Sequence, residues 1–182
     1  MEDEILKDEP YYKTGGGVTF SGGEPLLQIK DLEPLLKSLK NKNINICFET
    51  ALFTPKSYLI IAQKYCDNFI VDIKMINYNT CREILGGNID YYLNNLKILD
   101  LKKTTFRIPV TKFALNDSDL ICNLLKIYKP KNLEIFKIHD LAKRKYSILN
   151  KDFYHNQIDD VQFFDFYEKI KTIIPNTEII EI

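Results

Sequence analysis

The stretch Gly15-Gly-Gly-Val-Thr-Phe-Ser-Gly-Gly-Glu-Pro-Leu-Leu-Gln28 decides how this chain is read. Gly17 to Phe20 has the β-branched and aromatic content of a strand. Gly22, Gly23 and Pro25 then punctuate the chain, and Leu32, Leu35, Leu36 and Leu39 follow at the spacing of an apolar helix face. A short strand that turns at once into a helix is the repeating unit of a parallel α/β sheet.

The same rhythm continues outward. Ile44 to Phe48 reads as the next strand. Thr54-Pro55 is the expected cap and first residue of a helix running to Tyr65. Phe69-Ile70-Val71 is a third strand, and Ile89, Leu93 and Leu96 mark a helical face. Thr105 to Val110 is strand-like, with Pro109 suggesting an irregular end or an edge position. Asp117 or Ser118 is expected to cap a helix whose face is Ile121, Leu124, Leu125 and Tyr128. Leu133 to Ile138 is a fifth strand, Phe163, Tyr167, Ile170 and Ile174 suit a last helix, and Glu178 to Ile182 a closing strand. The expected class is α/β with a mainly parallel sheet. Five or six strand–helix units are too few for a closed eight-stranded barrel. An open or partial barrel fits better, and a doubly wound flat sheet is the alternative that periodicity does not separate.

With 182 residues, no linker and no low-complexity tract, residues 1–182 are expected to form a single domain. Twenty-five basic residues balance 25 acidic ones, and no long basic run is present. Wholesale binding to nucleic acid or to a membrane surface is therefore not expected. Apolar runs such as Tyr58 to Ala62 are too short to span a bilayer. Acidic Glu2, Asp3 and Glu4 are unlike a secretory leader, and a cytoplasmic protein is the expectation. Cys47, Cys66, Cys81 and Cys122 are too far apart in sequence for a zinc knuckle or a Cys-x-x-Cys redox pair. They read as buried or half-buried thiols. Tyr11, Tyr12 and the C-terminal aromatics read as packing residues, and His155 as structural or surface.

In a parallel sheet, working residues gather where strands end. Ser21, Gly22, Gly23 and Glu24 follow the first strand, Glu49 and Thr50 end the second, and Asp72 and Lys74 end the third. Arg107 lies in the fourth and His139 follows the fifth. Every strand end thus offers a group for charged or strong hydrogen bonds. Glu24 beside the glycines argues against a phosphate and suits an ammonium group.

These residues carry a family resemblance. Gly15 to Gln28 is similar to the Gly-Gly-Glu segment of the pyruvate formate-lyase activating enzymes, members of the radical S-adenosylmethionine superfamily. The resemblance extends in order through Cys47 to Thr50, Val71 to Lys74, Arg107 to Pro109 with Asn116 to Ser118, and His139 to Tyr146. It implies a partial (β/α) TIM-like barrel of the radical type. It also implies reductive cleavage of S-adenosylmethionine and removal of a glycine hydrogen from a glycyl-radical enzyme, pyruvate formate-lyase or a relative, with flavodoxin or ferredoxin as electron donor. Gly22, Gly23 and Glu24 would hold the methionyl ammonium. Glu49, Thr50 and Asp72 would line the pocket near it, with a monovalent cation, and Lys74 and Arg107 would neutralise the carboxylate. His139 would border the cofactor, and Ser21 joins the glycine turn.

Two departures qualify the resemblance. The family holds a [4Fe–4S] cluster on Cys-x3-Cys-x2-Cys, upstream of the Gly-Gly-Glu segment, and this sequence has no such triplet. The expectation is a barrel without its first strand and cluster loop, in which this chain alone is inactive and binds S-adenosylmethionine weakly at best. The alternative is a cluster-free homologue acting as an S-adenosylmethionine-binding or regulatory module. The second departure is Ala51-Leu52, where relatives carry a small or amide residue and then glycine. A phosphosugar aldolase or isomerase with Lys74 as Schiff base is disfavoured, since it needs a phosphate cradle and no second glycine-rich turn follows the fifth strand.

Overall fold

The computed structural model describes residues 2–13, 15–138, 143–148, 150 and 158–181. The two-residue period of a strand sends alternate side chains to opposite faces. In β2 (Asn45–Thr50), Ile46, Phe48 and Thr50 are buried while Cys47 and Glu49 are half-buried. β3 (Asn68–Asp72) buries Phe69 and Val71 and leaves Ile70 and Asp72 half-buried. β4 (Thr104–Val110) and β5 (Asn132–Lys137) keep the same alternation. With β1 (Gly17–Phe20) and β6 (Thr177–Ile179) they make a six-stranded sheet in the order β1-β2-β3-β4-β5-β6. Sheet order equal to chain order is what successive right-handed strand–helix units produce. Pairing is parallel for β1 with β2, β2 with β3 and β5 with β6.

Two compact units divide the chain. The first is Met1–Asp72 with Tyr78–Thr105, and the second is Ile73–Asn77 with Phe106–Ile182. In the first, the helix Ile29–Asn41 buries Ile29, Leu36 and Leu39. The helix Lys56–Tyr65 buries Leu59 and Ala62, and Ile89–Leu96 buries Ile89, Tyr92, Asn95 and Leu96. Phe48 stacks on Phe20 at 5.3 Å and on Phe69 at 6.2 Å between ring centroids. In the second unit, the helix Ser118–Tyr128 buries Ile121, Leu124 and Leu125. The helix Asp160–Lys171 buries Phe163, Phe166 and Ile170 and opens on a capping box between Asp159 and Gln162. Each fully buried side chain of this kind contributes about 1.5–3 kcal/mol.

Several local expectations change. Pro55, not Thr54, caps the helix Lys56–Tyr65, and the buried Thr54 hydroxyl has no hydrogen-bond partner among the described residues. Asp117 occupies the cap position before Ser118, yet its carboxylate bonds elsewhere, as described below. Pro109 lies in an interior strand rather than at an edge. It is the penultimate residue of β4, where a missing N–H costs at most one ladder bond. Tyr11 is 73% exposed rather than packed, and the closing strand is Thr177–Ile179. Among the described residues, no helix is long and apolar enough to cross a membrane.

Candidate functional site

The turn after β1 is built on two left-handed glycines, Gly22 at φ 81° and Gly23 at φ 55°. A side chain there would be strained by the backbone alone. A Cβ at either position would meet nothing within 4 Å, so the space over the turn is open. Ser21, Gly22 and Gly23 are exposed and Glu24 is half-buried.

Glu24 ties this turn to the end of β2. Its Oε1 accepts from the Thr50 hydroxyl at 2.6 Å and from the Leu26 N–H at 3.2 Å. Its Oε2 accepts from the Ala51 N–H at 2.9 Å. An ionised carboxylate offers about four lone-pair sites, so three donors leave capacity for one more. Thr50, only 3% exposed, also accepts the Leu52 N–H at 2.9 Å. Leu52 is fully buried and takes φ 58°, the left-handed geometry that glycine adopts without strain. Its carbonyl and that of Thr54 accept from the Asn95 side-chain amide, at 2.9 and 2.7 Å. Asn95 is fully buried. Sequence reading passed over it, although a signal existed: it is a polar residue three after Tyr92 and one before Leu96, on the apolar stripe of its helix.

Glu24 and Thr50 are therefore in contact, whereas Glu49 points to the other face of β2. Glu49 is in register with Ile70, two residues before Asp72, so Glu49 and Asp72 share one half-buried sheet face.

In the second unit, Lys74 is half-buried between buried Ile73 and Met75. The Ile73 N–H donates to the Arg107 carbonyl at 2.7 Å. The N–H groups of Ile76 and Asn77 both donate to Asp117 Oδ2, at 3.1 and 3.0 Å. Arg107 Nε donates to Glu134 Oε2 at 2.6 Å, with the two side chains 21% and 23% exposed. The guanidinium expected to meet a ligand carboxylate thus already faces one from the protein. Glu134 was not singled out in the sequence, because nothing in its spacing marks the strand opposite Arg107. His139 and His155 lie outside the described residues.

The thiols do not fit an iron–sulfur centre. Cys66, Cys81 and Cys122 are buried, Cys47 is half-buried, and none is in a disulfide. Burial pushes the Cys66 thiol up to about 12 and raises those of Cys81 and Cys122 as well. Cluster ligation requires thiolates, and burial here favours the protonated form. Among the described residues, no group of three or more His, Cys, Asp or Glu side chains is arranged to hold a metal ion. Three cavities, of about 430, 460 and 270 Å³, are lined by described residues other than those of the strand-end turns.

A mainly parallel six-stranded sheet, with a left-handed glycine turn after β1 and charged groups at later strand ends, sets the chain in the α/β class, and its fold is shared with the partial barrels that follow. A domain of a pyruvate formate-lyase activating enzyme from Bacteroides vulgatus superposes with TM-score 0.72 at 19% identity, over 92% of this chain and 100% of that one. Streptococcus suis SuiB bound to S-adenosylmethionine superposes with TM-score 0.66 at 16% identity, over 99% of this chain and 42% of that one. At those identities the likeness shows the fold alone. No protein-family profile matches the chain. Among individual proteins, the pyruvate formate-lyase-activating enzyme of Staphylococcus aureus strain USA300 is 31% identical over 175 residues, which cover 89% of this chain and 68% of that protein. The (2S)-3-sulfopropanediol dehydratase activating enzyme of Klebsiella oxytoca is 33% identical, over 81% of this chain and 49% of its own. Pyruvate formate-lyase 2-activating enzyme of Escherichia coli K12 is 29% identical, over 83% and 54%. This chain belongs to the family of glycyl-radical enzyme activating enzymes that includes those of pyruvate formate-lyase. It spans about half the length of the Klebsiella and Escherichia relatives.

Proposed function

We propose that this chain is the S-adenosylmethionine-binding part of a glycyl-radical enzyme activating enzyme. The observation that carries the reading is the glycine turn. Two left-handed glycines lie beneath open space, beside a carboxylate held by three protein donors with capacity for one more. An ammonium group matches that carboxylate by a charge-assisted hydrogen bond. Gly22, Gly23 and Glu24 take the methionyl ammonium, with Ser21 at the mouth of the turn. Thr50 sets the orientation of Glu24. Glu49 and Asp72 serve the same end of the ligand, Lys74 and Arg107 its carboxylate, and His139 its adenosine side.

In the whole enzyme, one electron from an external low-potential donor breaks the C5′–S bond, leaving methionine and a 5′-deoxyadenosyl radical. That radical takes a hydrogen atom from a backbone glycine of the partner, giving 5′-deoxyadenosine and a glycyl radical. The partner class is a glycyl-radical enzyme, pyruvate formate-lyase or a relative, and the donor class is flavodoxin or ferredoxin. Four free thiols suit a reducing cytoplasm.

A second reading is a cluster-free S-adenosylmethionine-binding homologue. Both readings leave this chain's buried thiols without a cluster, and a stable stoichiometric cluster after anaerobic reconstitution with iron and sulfide counts against both. An in-frame cysteine triplet encoded upstream of Met1 overturns the second reading alone.

The binding reading is tested by two-dimensional NMR titration with S-adenosylmethionine. Shifts are expected to concentrate at residues 21–24, 49–52 and 72–77. No change at millimolar ligand, or changes spread evenly over the chain, would sink it.

A further inference from the structure

The geometry points to Asp117 as a positioning residue for Lys74, fixing the segment that presents this lysine to the carboxylate of an amino-acid-bearing ligand. The inference rests on the binding reading above and names a residue on which that site depends.

Residues 73–77 leave β3 without a helix to order them. Their backbone amides must nevertheless find partners, because buried amides are almost always paired. Ile73 finds the Arg107 carbonyl, as above. The amides of Ile76 and Asn77 converge on one oxygen of Asp117, some 40 residues further along the chain. Lys74 is bracketed by these ties, and buried Ile73 and Met75 on either side send it to the opposite, half-buried side.

The anchor itself is rigid. Asp117 is 6% exposed, and its own N–H donates to the Phe113 carbonyl at 2.9 Å. Thr111 caps the preceding helix Lys112–Asn116 through the Ala114 N–H at 3.1 Å. The Asp117 carbonyl accepts the Ile121 N–H at 2.9 Å, the first tie of the helix Ser118–Tyr128. Asp117 would be expected to cap that helix with its side chain, since cap positions favour it. It makes no such bond. A carboxylate that forgoes its local cap to hold a distant segment by two charge-assisted bonds is fixing that segment.

The test uses the whole chain and two probes, S-adenosylmethionine and decarboxylated S-adenosylmethionine, which lacks the carboxylate. Dissociation constants come from NMR titration. Asp117→Ala is expected to weaken S-adenosylmethionine by about tenfold, the scale of one charge-assisted hydrogen bond, and the decarboxylated probe by less than about twofold. Lys74→Ala should give the same selective loss, and the double variant should lose no more than Lys74→Ala alone. Asp117→Asn, which keeps an acceptor oxygen, should restore both affinities. Should Asp117→Ala fold poorly, Asp117→Glu moves the tie instead of removing it and must show the same selectivity.

A merely structural Asp117 would weaken both probes alike, and that result overturns the inference. So does a selective loss in Lys74→Ala without one in Asp117→Ala, which leaves the binding reading intact. If the unaltered chain binds neither probe, the binding reading falls and takes this inference with it.

Discussion

Two strand-end turns in this molecule are held in place by opposite chemistry. After β2, the turn 51–54 is held by Asn95, whose side-chain amide donates to the carbonyls of Leu52 and Thr54. After β3, the segment 73–77 is held by Asp117, whose carboxylate accepts from the amides of Ile76 and Asn77. One tie is a neutral donor in a fully buried place, the other a charged acceptor beside a half-buried segment. The backbone decides the difference. Leu52 in the left-handed region presents its carbonyl inward, where only a donor can satisfy it. The residues after β3, in neither helix nor strand, present N–H groups, which only an acceptor can satisfy. The first turn follows Thr50 and the second carries Lys74, two residues assigned to the ligand, and each turn is fixed by a distant side chain.

Isosteric exchanges break this comparison most strongly. Asn95→Asp has nearly the same shape but replaces the side-chain donor with an acceptor facing two carbonyls, in a fully buried site. A loss of about 3–5 kcal/mol of unfolding free energy is expected, from two lost bonds and a buried charge without a partner. Asp117→Asn retains an oxygen for both amides, and a loss below about 1 kcal/mol is expected. Urea denaturation of the two variants measures both. Equal losses would show that these residues act through packing volume alone.

Much of this organisation was legible in the sequence because sheets and helices write their periods into it. The alternation in β2, β3 and β4 and the leucine spacing of residues 32–39 follow from burial on one face. The glycine turn was legible because left-handed backbone selects its residues. The ties were not. Asn95 and Asp117 act across 40 or so residues of chain, and no local rule marks a side chain that serves a distant backbone. Asp117 even carried a misleading local signal, since a helix cap is what its position advertises. The Arg107–Glu134 pair was hidden for the same reason, because cross-strand register appears only when the sheet is assembled.

A third tie, at the entrance of β3, sharpens the contrast between neutral and ionisable holders. The Cys66 thiol donates to the Asn68 carbonyl at 2.7 Å, and burial raises it from the ordinary 9.0 to about 12. Below about pH 9 the thiol is protonated in both folded and unfolded chains, and the tie contributes in full. As pH rises from there toward about 12, the unfolded chain releases a proton that the folded chain keeps, so stability falls. The loss attributable to Cys66 is on the order of 4 kcal/mol at most across that window. Denaturation of the native chain and of Cys66→Ala at pH 8 and pH 10.5 isolates it. The native chain should lose more stability between the two than the variant does, and parallel losses would remove the thiol from the account.

The smallest effect concerns the backbone that sets the first tie. Leu52 is fully buried and left-handed, so two terms oppose each other at one residue. Shortening it to alanine removes the buried side chain and keeps the unfavourable φ, for an expected loss of about 2–4 kcal/mol. Shortening it to glycine removes the side chain and relieves the backbone, a gain of about 1 kcal/mol relative to alanine. The usual order, in which alanine is more stable than glycine, should therefore invert at this position alone among the buried leucines of the first unit. Leu36 and Leu39, in the middle and last turn of a regular helix, serve as controls, where glycine should be the worse replacement by about the same amount. If Leu52→Ala proves more stable than Leu52→Gly, the left-handed conformation is not what directs the Leu52 carbonyl toward Asn95, and the donor tie must have another origin.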